Sequence, residues 1–367
     1  MSDRKKNITV TIMFILFFAV SSILIVSHKP NVLSENERRK LSMMPKFSWE
    51  NILSTKYMEE FDKYTLDQFP NRDNLRRLKA MTQFYVFRQK DNNGIFITED
   101  TVSKIEHPLK ESSVVHAAHK FEELYDTYFA GKDMAVYYAI IPDKNYFAAE
   151  SNGYPSMDYK KLVSLMKENL DHMKYIDLFE CLSIADYYTT DTHWRQEKLS
   201  GVVERIAREM DFFERLTGKY NLNKPSPFYG VYYGQAALPM PSDTLYYLTN
   251  DVIDSSTVYN YETEKYTKIY DLEKQSSNDP YEMFLSGAVP LLTIENPSAE
   301  TNKELVVFRD SFGSSIAPLF VEAYRKITLI DIRYISSYYL GRLMTFDNQD
   351  VLFLYSTLVI NNSTMLK

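Results

Sequence analysis

The segment Leu305-Val306-Val307-Phe308-Arg309-Asp310-Ser311-Phe312-Gly313 joins an apolar run to a short polar turn and a glycine. The apolar run predicts a buried strand from Glu304 to Phe308, and the residues that follow predict a helix from Ser314 to Arg325. The alternation continues with a predicted strand at Ile327 to Ile332, a helix at Ser336 to Met344 and a strand at Val351 to Tyr355. Short apolar strands that alternate with helices indicate a parallel sheet covered on both faces.

The same alternation is found upstream of this segment. The predicted elements are a helix at Val114 to Phe129, a strand at Met134 to Ile141, a helix at Tyr159 to Met173, a strand at Tyr175 to Leu178 and a helix at Gln196 to Met210. Residues 211–300 interrupt the pattern, and their mixed polar and aromatic residues predict an irregular, partly β insertion. We therefore expect one α/β domain over residues 91–367 that contains this insertion.

Ser311 lies where the predicted strand ends and the helix begins. In open α/β sheets, ligands bind beyond the carboxyl ends of the strands, so the Ser311 hydroxyl is a candidate nucleophile. Amides at the start of the helix could then stabilise an oxyanion. The alternative is a helix cap, because serine is favoured at that position in any helix.

The segment Thr189-Thr190-Asp191-Thr192-His193-Trp194 supplies a carboxylate and an imidazole two positions apart. If this segment ends a strand, both side chains point to the same face. A serine nucleophile needs a histidine base, and that histidine needs an acceptor that holds its tautomer. The sequence therefore predicts a triad of Ser311, His193 and Asp191. The alternative is a polar surface turn that caps the following helix.

Composition excludes several other classes of site. The formal net charge of −7 argues against a nucleic-acid-binding protein, which would favour a basic surface. Cys181 is the single cysteine, so neither an intramolecular disulfide nor a thiolate zinc site can form. His116 and His119 have a spacing that could ligate a metal, but no third ligand accompanies them. We expect neither a metal nor a cofactor.

The N-terminus predicts a membrane segment. Ile8 to Val26 contains no charged residue, and its 19 residues approach the roughly 20 that a membrane-spanning helix needs. Arg4, Lys5 and Lys6 precede the segment, and basic flanks stay on the cytoplasmic side. We therefore expect a single-pass signal anchor in residues 1–27, with the C-terminal domain outside the cell membrane. A signal peptide cleaved near Ala19-Val20-Ser21 is the alternative.

Residues 28–90 predict a stalk followed by a helical pre-domain. Apolar residues recur at helical spacing from Met58 to Phe87, and Pro70 should divide this stretch into two helices.

The two polar motifs together resemble a known signature. Thr190-Asp191-Thr192-His193-Trp194, followed by Arg309-Asp310-Ser311-Phe312, is similar to the signature of the alginate O-acetyltransferase-like SGNH proteins and the related DHHW proteins. Other similar stretches are Asn36 to Arg39 with Leu41, Pro45 to Phe47, Asp67 to Asp73, Ile141 to Lys144 and Asp331 to Tyr334. The resemblance covers most of the chain beyond the membrane segment.

The resemblance implies a three-layer α/β/α domain of the SGNH, flavodoxin-like type with a mainly parallel sheet and a permuted order, in which Asp-x-His precedes Ser. It implies acetyl transfer to an extracytoplasmic polysaccharide, commonly beside a membrane-bound O-acyltransferase that supplies the acetyl group. Ser311 matches the nucleophile, His193 the base and Asp191 its orienting acid. Four further positions are expected to contact substrate: Trp194, whose main role is structural, and Lys144, Arg333 and Tyr334.

We therefore expect O-acetyl transfer to a cell-surface polysaccharide through an acetyl-Ser311 intermediate. Two alternatives stay open. A carbohydrate O-acetyl esterase would release the same intermediate to water, and a non-catalytic glycan-binding or assembly protein would keep the fold alone. Arg309, where a glycine often stands in these proteins, and the unplaced Gly and Asn oxyanion motifs keep the second alternative open.

Overall fold

A computed structural model of the chain describes residues 3–27, 29–34, 36–99 and 101–367. The predicted boundaries at Met1 and His28 lie outside these ranges. The chain forms two compact units, the first from Met1–Asn93 and Tyr233–Met240, the second from Gly94–Tyr232 and Pro241–Lys367.

Helices and strands alternate through most of the second unit. The helices of the chain are α1 (Asp3–Ser27), α2 (Trp49–Leu53), α3 (Lys56–Asp67), α4 (Arg72–Met81), α5 (Glu111–Tyr128), α6 (Lys144–Ala148), α7 (Tyr159–Asn169), α8 (Ser200–Glu209), α9 (Val231–Ala236), α10 (Asp251–Ser255), α11 (Gly313–Ile316), α12 (Leu340–Leu343) and α13 (Thr357–Ile360). A π-helical turn at Thr82–Val86 follows α4. Short 3-10 segments occur at Glu150–Asn152, Phe179–Cys181, Ile184–Asp186, Gln196–Lys198, Phe213–Arg215, Leu272–Ser276, Pro280–Met283, Ala317–Ala323, Ser337–Tyr339 and Ser363–Met365.

The strands are short, as buried strands of an α/β domain usually are. They are β1 (Leu33–Ser34), β2 (Arg39–Lys40), β3 (Asp91–Asn92), β4 (Ile95–Ile97), β5 (Val102–Lys104), β6 (Val136–Ile141), β7 (Lys174–Asp177), β8 (Asn221–Phe228), β9 (Asp243–Thr249), β10 (Thr257–Asn260), β11 (Lys265–Thr267), β12 (Leu291–Glu295), β13 (Glu304–Arg309), β14 (Lys326–Ile330) and β15 (Asp350–Ser356).

In the first unit, α1 is long and apolar enough over Asp3–Ile25 to cross a membrane. The helix predicted from Met58 to Phe87 is divided as expected, because α3 ends at Asp67 and α4 begins at Arg72, on either side of Pro70. Proline lacks the N–H that would continue the helical ladder.

The second unit is built on a central sheet. Among the described residues, eight strands form it in the order β11-β10-β12-β14-β13-β15-β6-β7. The strands β14, β13, β15, β6 and β7 run parallel, whereas β12, β10 and β11 are antiparallel to their neighbours. The mainly parallel sheet is the predicted one. Within the stretch predicted as an irregular, partly β insertion at 211–300, the strands β10, β11 and β12 extend this sheet.

The sheet is covered on both faces, which makes the domain three-layered. Successive strand residues point to opposite faces. Val307 and Leu352 belong to one core with the buried residues of α8, and Phe308 and Phe353 belong to the other core with α5 and α7. The Phe308 and Phe353 rings stack with centroids 4.4 Å apart.

One predicted helix is shorter than expected. The helix from Ser314 to Arg325 is α-helical only over α11, and it continues as the 3-10 segment Ala317–Ala323. Pro318 explains the change, because it cannot donate the hydrogen bond that an α-helix requires at that position.

Candidate active site

The carboxyl ends of the parallel strands bring polar residues to one edge of the sheet. Asp143 follows β6, Ser311 follows β13, Asp331 follows β14, and Ser356 ends β15. The strand register aligns these ends, since Ser356 pairs with Ile141 and Phe308 pairs with Ile330. This edge is where open α/β sheets bind ligands.

Ser311, His193 and Asp191 form a continuous hydrogen-bonded row at this edge. Ser311 Oγ lies 2.8 Å from His193 Nε2, and His193 Nδ1 lies 2.6 Å from Asp191 Oδ1. A carboxylate only accepts hydrogen bonds, so Nδ1 carries the proton and Nε2 presents its lone pair to the serine. This is the tautomer that a general base for Ser311 requires.

The segment that carries Asp191 and His193 is a closed turn and does not end a strand of the central sheet. Tyr187 and Trp194 form an isolated antiparallel bridge, and Tyr188 N–H donates to His193 O at 3.1 Å. Inside the turn, the backbone N–H of His193 donates to Asp191 Oδ1 at 3.0 Å. An aspartate that bonds the backbone two residues onward stabilises a turn in preference to a strand.

Residues of the insertion also hold Asp191 in place. Its side chain is 1% exposed, and Oδ2 accepts from Val231 N–H at 2.9 Å. Gly230 lies against the same residue, because a Cβ built on Gly230 would meet Asp191 Cβ at 2.3 Å. Only a residue without a side chain allows the two backbones to approach so closely.

An aromatic ring whose role the sequence did not reveal stacks on the imidazole of His193. The Tyr281 ring stacks on it with centroids 3.8 Å apart and an interplanar angle of 7°. The Tyr281 hydroxyl donates to Ser315 Oγ at 2.8 Å, and burial raises the pKa of this phenol well above its usual value. Tyr281 stands in a Tyr-rich insertion with no motif around it, so no sequence signal distinguished it.

The turn around Ser311 is stabilised mainly by Asp310. This carboxylate accepts from Phe312 N–H at 3.0 Å and from Ser356 N–H at 2.8 Å, which ties the turn to the end of β15. Gly313 N–H donates to Asp310 O, and Ser314 N–H donates to Ser311 O. The helix amides expected to stabilise an oxyanion are thus already bonded within the turn. In the described parts of the chain, Ser311 N–H itself meets no acceptor.

Arg309 points into the protein interior beneath the turn. It is fully buried, its Nη1 lies 3.9 Å from Asp331 Oδ2, and its Nη2 donates to Val289 O at 3.4 Å. Burial lowers the pKa of Arg309, and the Asp331 carboxylate opposes that effect. Gly313 leaves room for this side chain, since a Cβ there would lie 2.6 Å from Arg309 Cβ.

The four residues expected to contact substrate have different surroundings. Trp194 is fully buried, and its Nε1 donates to Ser315 Oγ at 2.9 Å and to Phe312 O at 3.2 Å. Lys144 is also buried and bonded to the protein itself. Arg333 is half-buried and paired with Asp331 at 2.6 Å, whereas Tyr334 is 49% exposed. Substrate binding by these residues stays a prediction.

Among the residues that the structure describes, no group of three or more His, Cys, Asp or Glu side chains is arranged to hold a metal ion.

No protein-family model and no curated protein matches the sequence. The fold is similar to solved structures. A DHHW family protein from Eubacterium siraeum aligns with 76% of this chain and 97% of its own, at 17% identity and a TM-score of 0.60. Bacillus cereus PatB1 aligns with 73% of this chain and 97% of its own, at 18% identity and a TM-score of 0.56. The structure of PatB1 with a sulfonyl adduct aligns with 72% of this chain and 95% of its own, at 19% identity and a TM-score of 0.54. These alignments confirm the predicted SGNH-like α/β fold and, at the level of fold, the resemblance to DHHW proteins.

Proposed function

We propose that this chain is an extracytoplasmic acyltransferase that moves an acetyl group onto a hydroxyl of a cell-surface polysaccharide through an ester on Ser311. The observation that carries the proposal is the hydrogen-bonded row from Asp191 through His193 to Ser311. A surface turn or a helix cap does not need an imidazole directed at the serine hydroxyl. The choice of acetyl and of polysaccharide is supported by the sequence resemblance to O-acetyltransferase-like SGNH proteins.

In the first half-reaction, Ser311 Oγ attacks the carbonyl carbon of an acetyl ester while its proton passes to His193 Nε2. Collapse of the tetrahedral intermediate expels the donor oxygen, which takes that proton. The acetyl group is then an ester of Ser311. Asp191 stabilises the imidazolium that forms between the two steps.

In the second half-reaction, a sugar hydroxyl gives its proton to Nε2 and bonds to the acetyl carbon. The bond from that carbon to Ser311 Oγ breaks, and the serine recovers the proton. Water in place of the sugar hydroxyl would give an esterase, so an acceptor that excludes water makes the enzyme a transferase.

The N-terminus supports the proposed location of the enzyme. The apolar helix α1 is long enough to anchor the chain in the cell membrane, and Arg4, Lys5 and Lys6 favour a cytoplasmic N-terminus. The α/β domain would then face the cell exterior, where the polysaccharide is. An acetyl group from cytoplasmic metabolism must cross the membrane first, so we propose a membrane-bound O-acyltransferase as the supplying partner.

The test is product analysis with the detergent-solubilised full chain, an activated acetyl ester and a panel of candidate glycans. A transferase produces acetylated glycan, an esterase produces acetate alone, and a binding protein retains glycan without either product. Ser311→Ala should abolish both products. Ser314→Ala is the matched control, because it removes a neighbouring serine of the same turn. Equal products from wild type and Ser311→Ala would overturn the proposal.

A further inference from the structure

The turn that carries Asp191 directs several of its carbonyl oxygens at one buried ammonium group. Lys144 Nζ donates to Tyr188 O at 2.7 Å, to Thr189 O at 2.8 Å and to Asp191 O at 3.0 Å. Lys144 is 1% exposed and begins α6, three residues after the end of β6 and at the same sheet edge as Ser311. An ammonium group has three donors, so these three carbonyls saturate it.

The amides of the same turn are bonded to a carboxylate on the opposite side. Thr189 N–H donates to Asp243 Oδ1 at 2.7 Å, and Thr190 N–H donates to Asp243 Oδ2 at 2.7 Å. The Thr190 hydroxyl adds a third bond to Asp243 at 2.6 Å. Hydrogen bonds to ionised groups are about twice as strong as neutral ones. The turn is therefore fixed by a cation at its carbonyls and by an anion at its amides.

This arrangement differs from an ordinary structural ion pair. The direct hydrogen-bond partners of Lys144 Nζ are backbone carbonyl oxygens, and its interactions with the Asp191 and Asp243 carboxylates act through space. Lys144 and Asp243 come from different elements, α6 and β9, and both bond the backbone of the turn. The turn that both residues bond ends at Asp191, whose carboxylate orients the imidazole of His193.

Resting on the proposed function, we infer that Lys144 and Asp243 are positioning residues that hold the Asp191 turn where His193 can act as the base for Ser311. Neither residue touches the reacting atoms. Each acts through the backbone of residues 188–191, and a displacement of about 1 Å at a reacting group typically costs about 10²-fold in rate.

The charge of Lys144 adds a signature that a purely structural lysine would not give. Burial lowers the pKa of this ammonium to about 7, and the Asp191 and Asp243 carboxylates oppose the shift. The Tyr232 ring also lies beside the ammonium, with its centroid 5.3 Å from Nζ, and burial raises the pKa of its phenol far above neutrality, so it stays uncharged. A neutral amine has only two donors for three buried carbonyls. Activity should therefore fall as pH rises through about 7.

The first experiment compares Lys144→Met, Asp243→Asn and wild type as full chains in detergent. We expect kcat to fall about 10²-fold for Lys144→Met while KM for the acetyl ester stays within about twofold. The substitution misplaces the base, and the buried ammonium, bonded to three carbonyls, has no donor left for substrate. The fall in wild-type activity above pH 7 should disappear in Lys144→Met. Lys160→Met, an exposed lysine on α7, is the matched control and should behave as wild type.

The second experiment measures the downfield proton resonance of His193 Nδ1–H, which reports its hydrogen bond to Asp191. The signal is assigned by its loss in His193→Ala, and it should weaken or shift in Lys144→Met and Asp243→Asn at unchanged circular dichroism. If Lys144→Met does not fold, kcat and the His193 resonance are measured in the isosteric Asp243→Asn instead. This signal does not depend on turnover, so it tests the positioning role even if Ser311→Ala shows the proposed function to be wrong. A wild-type resonance and a wild-type pH profile in folded Lys144→Met would overturn the inference.

Discussion

Gly230→Ala should disable the site by steric displacement alone. The backbone of Gly230 does not have a positive φ, so alanine is compatible with its conformation. The added methyl group would lie 2.3 Å from Asp191 Cβ, 2.4 Å from Asp191 Cα and 2.4 Å from Thr190 O. Carbon atoms in contact normally stay about 3.5–4.0 Å apart. The Asp191 turn must therefore move away by more than about 1 Å.

The size of the effect follows from what this movement breaks. The turn cannot yield freely, because Lys144 and Asp243 hold its backbone and Val231 N–H holds the Asp191 carboxylate. Overpacking of this kind costs about 1–3 kcal/mol of folding free energy. A base displaced by about 1 Å costs about 10²-fold in kcat, which corresponds to roughly 2.7 kcal/mol in the activation barrier.

The assay is the rate of acetyl transfer together with the melting temperature of each variant. Gly201→Ala, a substitution within α8, is the matched control, because its new methyl group would lie an ordinary 3.7 Å from Cys181 O. That variant should keep full activity, and its helix should gain about 0.5–1 kcal/mol. Gly230→Ala with wild-type kcat and melting temperature would refute the close approach on which the reasoning depends.

Three further outcomes are expected. Tyr281→Leu should lower kcat in the same transfer assay more than Tyr281→Phe, because phenylalanine keeps the stack on the imidazole; equal losses would show that the ring face is unimportant. Arg39 holds the pKa of the Asp67 carboxyl well below its usual range. This pair therefore stabilises the first unit fully above pH ~4, and the stabilisation is lost as the pH falls further. Asp67→Asn should lower the melting temperature at pH 7, and the difference should close in acid; a difference that grows in acid contradicts the pairing. Asp191→Asn should cost orders of magnitude in kcat alone but almost nothing when added to Ser311→Ala, and additive losses would argue against a triad.

The fold was predictable where local pattern and burial agree. The apolar runs that became β6, β13, β14 and β15 are continuous because both faces of the sheet are covered, and that signal is visible in the sequence alone. The strands β10 and β11 were not separated from the insertion, because both mix polar and aromatic residues. The apolar strand β12 was included with them although its run of Leu291 to Ile294 is buried.

Part of the site was predictable from the sequence, and part was not. Ser311, His193 and Asp191 were predicted because their residue types and motifs carry chemistry, and the structure brings their side chains within hydrogen-bond distance. Tyr281 and Asp243 were missed because their importance depends on contacts across more than 50 residues of chain, which no local pattern records. Lys144 was singled out by resemblance, but its bonds to backbone carbonyls became visible only in three dimensions.

The covalent acetyl ester on Ser311 that the proposed reaction requires can be detected by mass spectrometry. The full chain is incubated with an activated acetyl ester without acceptor, quenched in acid, weighed intact and digested with trypsin. We expect one added acetyl group on the peptide of residues 310–325, located at Ser311 by fragmentation, and none in Ser311→Ala or His193→Ala. Acetylation of that peptide at equal levels in wild type and Ser311→Ala, or none in an active wild type, would contradict it.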